Sequence, residues 1–556
     1  MKKILLLFLV TILSLRVFAQ ETNVSGRVTD ETDGSPLPGV NVVVKGTTNG
    51  TVTASDGKYS LTVPGPSSVL VFSFIGLVTQ EVEVGGRQVI DVPMKSDITQ
   101  LNEVVVTALG IERKRNELPY AAQQVTGEQI TTTRNSNFVN ALSGKVAGID
   151  IKTNNNLGGS TNVVIRGYKS ITGNNQALFV IDGVPVSNAN NNSVQQRNGG
   201  TGVDYGNAAA DINPDNIASI NVLKGAAATA LYGSRAANGV IMITTKKGKK
   251  DAFSVVVNSG VTVGVIDKTT YAKYQREYGA GYNSGFYQAD LGQGVGPVVQ
   301  FDADASFGTK FDPNLMVYHW DALDPFSPNY QQMKPWVGAK NDPSEFFETA
   351  VTSNQNITLM GGTDKTVFKL AYTRVDDKGV LPNSKLEKDL VNFSASYDVS
   401  DRLTVGASAN YSRITGVGRY GTGYNGNNPN QQFRQWWQVN TDIKEQKDAY
   451  FRNGLNVSWN WPSATGGTPP IYSDNPYWTR YKNYANDSRD HYFGYASLNY
   501  KVTDWMEVIG RIAFDATTDF QEERVAVGSS GVRFGVDPAV APISVPSFYS
   551  RFDQSY

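Results

Sequence analysis

Two histidines and no cysteine among 556 residues limit what chemistry this chain can carry. Without thiols there are no disulfides, thiolate metal sites, thiol nucleophiles or lipid-modified N-terminal cysteine. His319 and His491 open neither an H-x-x-E nor an H-E-x-x-H pattern, so a zinc hydrolase has no ligands here, and no catalytic, metal or cofactor residue is assigned. Gly421-x-Gly423-x-x-Gly426 has the spacing of a dinucleotide fingerprint, but it sits in an Asn/Gly/Pro loop with no strand before it and no helix after it. Leu223-Lys224-Gly225 lacks the spacing of a phosphate loop. The pattern that does point to work is mechanical: Glu103, Val104, Val105, Val106, Thr107 and Ala108 form a short Val-rich strand between flexible segments. Its backbone donors and acceptors are open to capture by a partner's sheet edge, with the side chains setting register. On its own the segment reads equally well as the last strand of the module before it.

A second candidate set is aromatic. Trp436, Trp437, Trp459, Trp461 and Trp478 fall in a long stretch rich in Gly, Asn and Tyr. They have the chemistry to stack on sugar rings or side chains, with Trp436, Trp437 and Trp478 the candidate substrate contacts. They equally have the chemistry to form the hydrophobic core of a loop, and the second reading is slightly preferred. Nucleic acid is excluded as a partner, because 50 basic and 51 acidic residues leave a net charge of −1 with no basic run.

The elements that position these residues differ along the chain. MKKILLLFLVTILSLRVFAQ pairs two lysines with a short apolar run and a small-residue cleavage site, an export signal over residues 1–19. The run is too short for a bilayer-spanning helix, and no later run approaches that length, so membrane residence requires a β-barrel. Residues 21–96 alternate strand-like runs with turns such as Asp56-Gly57, which predicts a small β-sandwich. Residues 113–250 turn mixed α/β, with short helical or turn elements at 215–218 and 226–232. Arg166 and Arg235 are expected to pair with acidic groups on a surrounding wall. After residue 250 the chain reads as amphipathic strands. Phe368, Leu370 and Tyr372 share one face and Lys369, Ala371 and Thr373 the other, a pattern repeated at 391–411 and 492–514 as expected for apolar-outside, polar-inside barrel strands. Short turns at 361–365, 399–401 and 503–504 are expected in the periplasm, and the long loops 265–354 and 413–489 outside.

The residues G-x-V-x-D, PLPGV and TASDGKYSL resemble the carboxypeptidase-regulatory-like (transthyretin-like) domain, a non-catalytic module. NALSGKVAGIDI, NVVIRGYKSI, ALFVIDGVPV and VLKGAAATALYGSRAANGVIMITTKKG follow in the order of the plug domain of TonB-dependent transporters, and VIDGVPV after a regulatory-like module resembles the SusC/RagA family. The resemblance implies a mainly β protein: signal peptide 1–19, regulatory-like β-sandwich 20–98, TonB-box linker 99–112, α/β plug 113–250, and an incomplete antiparallel transmembrane β-barrel over 251–556. It places residues 103–108 at the TonB box. It implies TonB-dependent import of an oligosaccharide or peptide across the bacterial outer membrane, with the TonB–ExbB–ExbD complex, a SusD-like surface lipoprotein and outer-membrane lipid as partners and no enzyme activity. The alternatives are a siderophore or metal-chelate receptor and a surface adhesin. Seven strands are counted after residue 250. An odd count leaves the chain on the outer face, so residues 517–556 are expected to open a loop, the sheet to stay unclosed, and the intact protein to be longer.

Overall fold

Side-chain alternation builds the first unit. The computed structural model describes residues 22–95 and 122–530, together with 104–106, 112–114 and 547–555, but not residues 32, 48, 75–76, 132–136, 154–155, 172, 187–193, 198–199, 208–210, 225–231 and 468. The expected export signal lies outside the described residues. Strands β1 (Thr22–Asp30), β2 (Asn41–Val44), β3 (Gly50–Val52), β4 (Lys58–Val63), β5 (Val69–Ser73), β6 (Gln80–Glu83) and β7 (Val92–Met94) form two sheets, ordered β4-β1-β7 and β3-β2-β5-β6. In β4, Tyr59, Leu61 and Val63 turn inward while Lys58, Ser60 and Thr62 face water. They meet Val24, Val28, Val42, Leu70, Phe72 and Met94 between the sheets, where each full burial of an apolar side chain contributes about 1.5–3 kcal/mol. Gly57, at φ +78°, makes the turn into β4, and a Cβ there would stand 2.6 Å from the Val28 carbonyl oxygen. This unit closes its own core. Strands β8 (Val104–Val106) and β9 (Glu112–Lys114) follow as a two-stranded pair.

The second unit begins with the plug. Its strands are β10 (Ala122–Thr126), β11 (Ile149–Thr153), β12 (Thr161–Ile165), β13 (Leu178–Ile181), β14 (Val184–Val186), β15 (Thr201–Val203), β16 (Ile217–Leu223) and β17 (Val240–Thr245). Five of them form a mixed sheet ordered β10-β16-β17-β13-β14, over a core that includes Phe138, Phe179, Val163, Ile217, Ile220, Val222 and Ile241. The VIDGVPV stretch is the β13–β14 hairpin. Asp182 and Gly183 both take positive φ, +48° and +86°, as a two-residue turn between twisted strands demands. The expected turn at 215–218 is shorter than read: a single 3₁₀ turn, Pro214–Asn216, leads directly into β16. Most of 226–232 lies outside the described residues.

Around the plug stands a wall of eight strands among the described residues. β18 (Phe253–Gly264) is followed in the chain by a loop sheet of β19 (Tyr287–Asp290), β20 (Val295–Val298), β21 (Asp312–Tyr318) and β22 (Met333–Trp336). Next come wall strands β23 (Ala350–Gly362), β24 (Thr366–Lys378), β25 (Lys385–Ser400) and β26 (Leu403–Val417), the short β27 (Gly421–Gly423), and wall strands β28 (Tyr484–Thr503), β29 (Met506–Val525) and β30 (Ser547–Ser555). The wall order, β18-β23-β24-β25-β26-β28-β29-β30, leaves β18 and β30 as its edges, so the sheet is open. The count of seven is corrected to eight among the described residues. SFYSRFDQS does not alternate cleanly enough to be read as a strand, yet it pairs with residues 517–525, a stretch expected to open a loop.

The wall inverts the burial of a soluble sheet. Leu370 and Tyr372 are 42% and 43% exposed, while Lys369, Ala371 and Thr373 between and beside them are buried. Cross-strand register lines the outward residues into rows. Tyr372, Val391, Tyr411 and Tyr492 stand side by side on four successive strands, and directly above them stand Arg374, Asp389, Arg413 and Asp490, an alternating row of charge. Tyr500 marks a second tyrosine level eight residues from Tyr492 on β28. At about 3.3 Å per residue and the usual barrel tilt, the two levels stand roughly 20 Å apart, close to the roughly 25 Å apolar band of outer-membrane barrels. The strands continue past the charged row, which is why β25, β26, β28 and β29 are longer than their apolar alternation predicts.

The two long connections, 265–349 and 418–483, do not behave as loops. They fold together over one core containing Trp320, Trp336, Phe346, Phe433, Trp437, Trp459, Trp461, Tyr477 and Trp478.

Candidate functional site at the plug and wall

Sequence placed the handle at residues 103–108. Val104, Val105 and Val106 are strand β8, whereas Glu103, Thr107 and Ala108 lie outside the described residues. β8 has a single strand partner, β9, among the described strands. Of the candidate aromatic contacts, Trp437 is buried edge-on between Phe433 and Trp459, and Trp478 is buried with its indole N–H donating to Ser529 Oγ at 2.8 Å. Trp436 is half-buried and meets Tyr424 edge-on.

The plug meets the wall mainly through one run of residues. Between residues 205 and 216 the plug reaches four wall strands in turn. The Tyr205 hydroxyl donates to Glu523 on β29 at 2.8 Å, and Asp211 meets His491 on β28 at 2.8 Å. Asn213 donates to the Thr373 hydroxyl on β24, and Asn216 donates to the Asn392 side-chain oxygen on β25. Pro214 fixes the turn that aims these groups, and Asn213 caps it by accepting from the Asp215 N–H. On the opposite flank the Asp182 carbonyl accepts from Arg511 of β29 at 3.1 Å. Burial and the Glu523 carboxylate hold the Tyr205 hydroxyl far above the ordinary phenol range, so it stays a donor. Net contributions of about 1 kcal/mol for each neutral hydrogen bond, and about 1.5–3 kcal/mol for those of Glu523 and Asp211, describe a joint of separate, individually modest contacts. Apolar contacts join the two as well: Phe493 of the wall packs into the plug core, Leu157 of the plug packs on Leu386 and Ile414 of the wall, and Val203 and Tyr205 pack on Ala485.

A second seam closes the plug from the loop side. β27 pairs antiparallel with β15, Thr201 opposite Gly423 and Val203 opposite Gly421. Next to it, Asn156 of the plug donates to the Tyr420 carbonyl at 2.8 Å and accepts from the Tyr420 N–H at 2.9 Å. Arg419 holds Asp487 bidentately, at 2.6 and 2.8 Å, and donates its remaining nitrogen to the Leu157 carbonyl.

The expected arginine pairing is corrected by this arrangement. Arg166 and Arg235 are exposed, and no ion pair of either occurs among the described residues. The buried cations belong to the wall and its loop instead, in Arg419 with Asp487, Arg489 with Asp519, and His491 between Asp211 of the plug and Asp515. Arg166 sits at φ +58° just after β12, in a turn that carries its side chain to the surface. Sequence reading missed Asp211, Asn213, Asn216 and His491. The signals were available: DINPDN is a dense polar run inside an apolar domain, and His491 falls on the inward parity of a strand whose neighbour Tyr492 faces out. Among the described residues no group of His, Asp and Glu side chains is arranged to hold a metal ion.

Comparison with known proteins finds chains similar to this one. Residues 24–106 match the CarboxypepD_reg-like domain, and residues 114–240 match the TonB-dependent receptor plug domain. The chain is 32% identical over 425 residues to the TonB-dependent receptor SusC of Bacteroides thetaiotaomicron, covering 76% of this chain and 36% of that protein. It is 30% identical over 424 residues to TonB-dependent receptor P3 of Formosa agariphila, covering 75% and 35%. The chain thus spans about a third of the length of the curated relatives it matches. Its fold matches the RagAB peptide importer in the open-open state at a TM-score of 0.50 and 18% identity, over 76% of this chain and 43% of that one.

Proposed function

From a chain that SusC-like TonB-dependent receptors match over about three quarters of its length, we infer that the whole protein imports a nutrient, an oligosaccharide or a peptide, across the bacterial outer membrane. The observation that carries this reading is a folded plug seated on the polar inner face of an apolar-outside wall, held by bonds that water can replace and preceded by a strand suited to capture. In the mechanism, substrate settles outside the plug beneath the folded lobe. TonB adds a strand to residues 103–108 and pulls, and the tension breaks the belt at 205–216 one polar contact at a time, together with the small apolar contacts at Leu157, Val203 and Phe493. None of these steps makes or breaks a covalent bond, in keeping with relatives that are receptors rather than enzymes. A SusD-like lipoprotein is the proposed partner above the lobe. Trp436, half-buried at the lobe, is the candidate aromatic platform for substrate, over a core that includes Trp437 and Trp478.

The test is growth of a strain lacking this gene, with and without a restored copy, on single oligosaccharide or peptide sources, and with the TonB complex intact or deleted. Restored growth on one class, lost again without TonB, is expected. Restored growth that persists without TonB would sink the reading.

A further inference from the structure

The buried contact between plug and wall at His491 is over-determined for a neutral imidazole. Its Nδ1 lies 2.8 Å from Asp211 Oδ2 of the plug, and its Nε2 lies 2.7 Å from Asp515 Oδ1 on β29. The imidazole and the Asp211 side chain are essentially inaccessible to water. An ionised carboxylate only accepts hydrogen bonds, so both contacts are attractive only when both ring nitrogens carry hydrogen; a neutral ring would set one lone pair against a carboxylate oxygen. The seated plug therefore keeps two protons on this ring. The charged groups around it make the second proton depend on Asp211. Arg489, on the same strand, pairs with Asp519 and lies within electrostatic reach of Asp487 and Asp211. Lys388 of β25 lies near Asp211 and near Asp377 of β24, and Arg419 stands beyond it. Asp211 is thus a plug carboxylate facing three wall cations, Lys388, Arg489 and His491. When the plug leaves, those cations remain with the wall carboxylates alone; Lys388 and the imidazolium can each give up a proton, and the imidazolium is the one hydrogen-bonded directly to Asp211. Asp515, about a fifth exposed, supplies a route to water.

We propose that Asp211 and His491 form a proton-linked latch: the plug seats on a doubly protonated His491, and the departure of Asp211 lets that ring lose a proton. The proposal rests on the reading that the plug moves in transport, and it adds a determinant of when. Because the seated state holds one more proton than the released state, raising the pH favours release, by at most tenfold per pH unit.

Single-molecule pulling on the N-terminal module of the membrane-inserted protein measures this directly, as the force of the step that frees residues 205–216 between pH 5.5 and 8.5. In the unaltered protein that force is expected to fall as pH rises. Asp211→Asn should release at lower force with no pH slope. Asp515→Asn lets a neutral ring donate to Asp211 through Nδ1 and accept through Nε2, so it should keep a latch but lose the slope, which separates the proposal from simple destabilisation. A flat force profile in the unaltered protein, or an unchanged slope in Asp515→Asn, would overturn it. The measurement needs neither substrate nor TonB, so loss of uptake alongside an intact slope would count against import and not against the latch.

Discussion

In the proposed capture by strand addition, residues 103–108 would offer a partner their backbone rather than a side chain, and that makes Val105 the most informative single position. Proline there deletes an amide donor and fixes φ, which blocks strand addition while changing almost nothing in the sandwich core before it. Val105→Pro should abolish TonB-dependent uptake yet leave substrate binding to whole cells and the thermal unfolding of the module as they are; undiminished uptake would remove residues 103–108 from the mechanism. Titration offers a second residue-level test, in the lobe. Asp474 is fully enclosed, and its carboxylate accepts from Asn456 at 2.8 Å and from the Ser530 N–H at 2.6 Å, yet burial pushes its pKa up to about 6 from an ordinary 3.8. A folded pKa above the unfolded one means stability that is present below pH 3.8 and lost as pH rises through about 6. His319 runs the other way. Burial and the nearby Lys334 charge lower it to about 4, so its contribution is present above pH 6.5 and lost as pH falls toward 4. Asp474→Asn should therefore raise the melting temperature read by lobe tryptophan fluorescence at pH 7.5 and confer no gain at pH 4; a lower melting temperature at pH 7.5 contradicts the assignment.

At the scale of elements, independence can be read from closed cores. The first sandwich buries Val24, Val28, Leu70, Phe72 and Met94 within its own two sheets. Residues 21–96 expressed alone should give a cooperatively unfolding β domain, and their deletion should leave membrane insertion of the rest intact; a disordered spectrum for the isolated segment refutes this. The sandwich and the wall strands were legible because a half-buried strand writes its environment into every second residue. The lobe was not. Trp320, Trp336, Trp459 and Trp461 come from two connections more than a hundred residues apart in sequence, and no local period announces that they share a core. The belt at 205–216 was equally hidden, since Asp211 and Asn213 look like ordinary loop residues until the wall supplies His491 and Thr373. Arg166 and Arg235 were chosen by residue type alone, and type does not fix direction. At the seam between β27 and β15, the element-level test is Thr422→Pro. It removes a ladder donor and should loosen the plug under the lobe, seen as faster protease cleavage near residue 200 with the wall still resistant; equal cleavage rates would make the pairing incidental.

For the whole molecule the proposed solvent of the wall's outer face is the bilayer, and register says where it would lie. Phe368, Ala395, Ala407, Ala496 and Ile512 form one outward row, midway between the tyrosine levels of Tyr492 and Tyr500. Ile512 is the large aliphatic side chain of that row and faces outward, as the centre of a hydrocarbon-facing band requires. Two rows beyond the upper tyrosines, Asp376, Glu387 and Thr415 stand at the same height on adjacent strands, where charge is already accepted. The same arginine should therefore be costly at one height and nearly free at the other. Ile512→Arg, at the midplane, is expected to destabilise the inserted protein by about 2–4 kcal/mol and Thr415→Arg by about 0–1 kcal/mol. Both figures would be read from reversible denaturant unfolding in lipid vesicles. A soluble sheet with the same register would show no such difference, because both side chains would simply face water. Equal effects at the two positions would thus displace the bilayer from this face and, with it, the reading of the eight strands as a membrane wall.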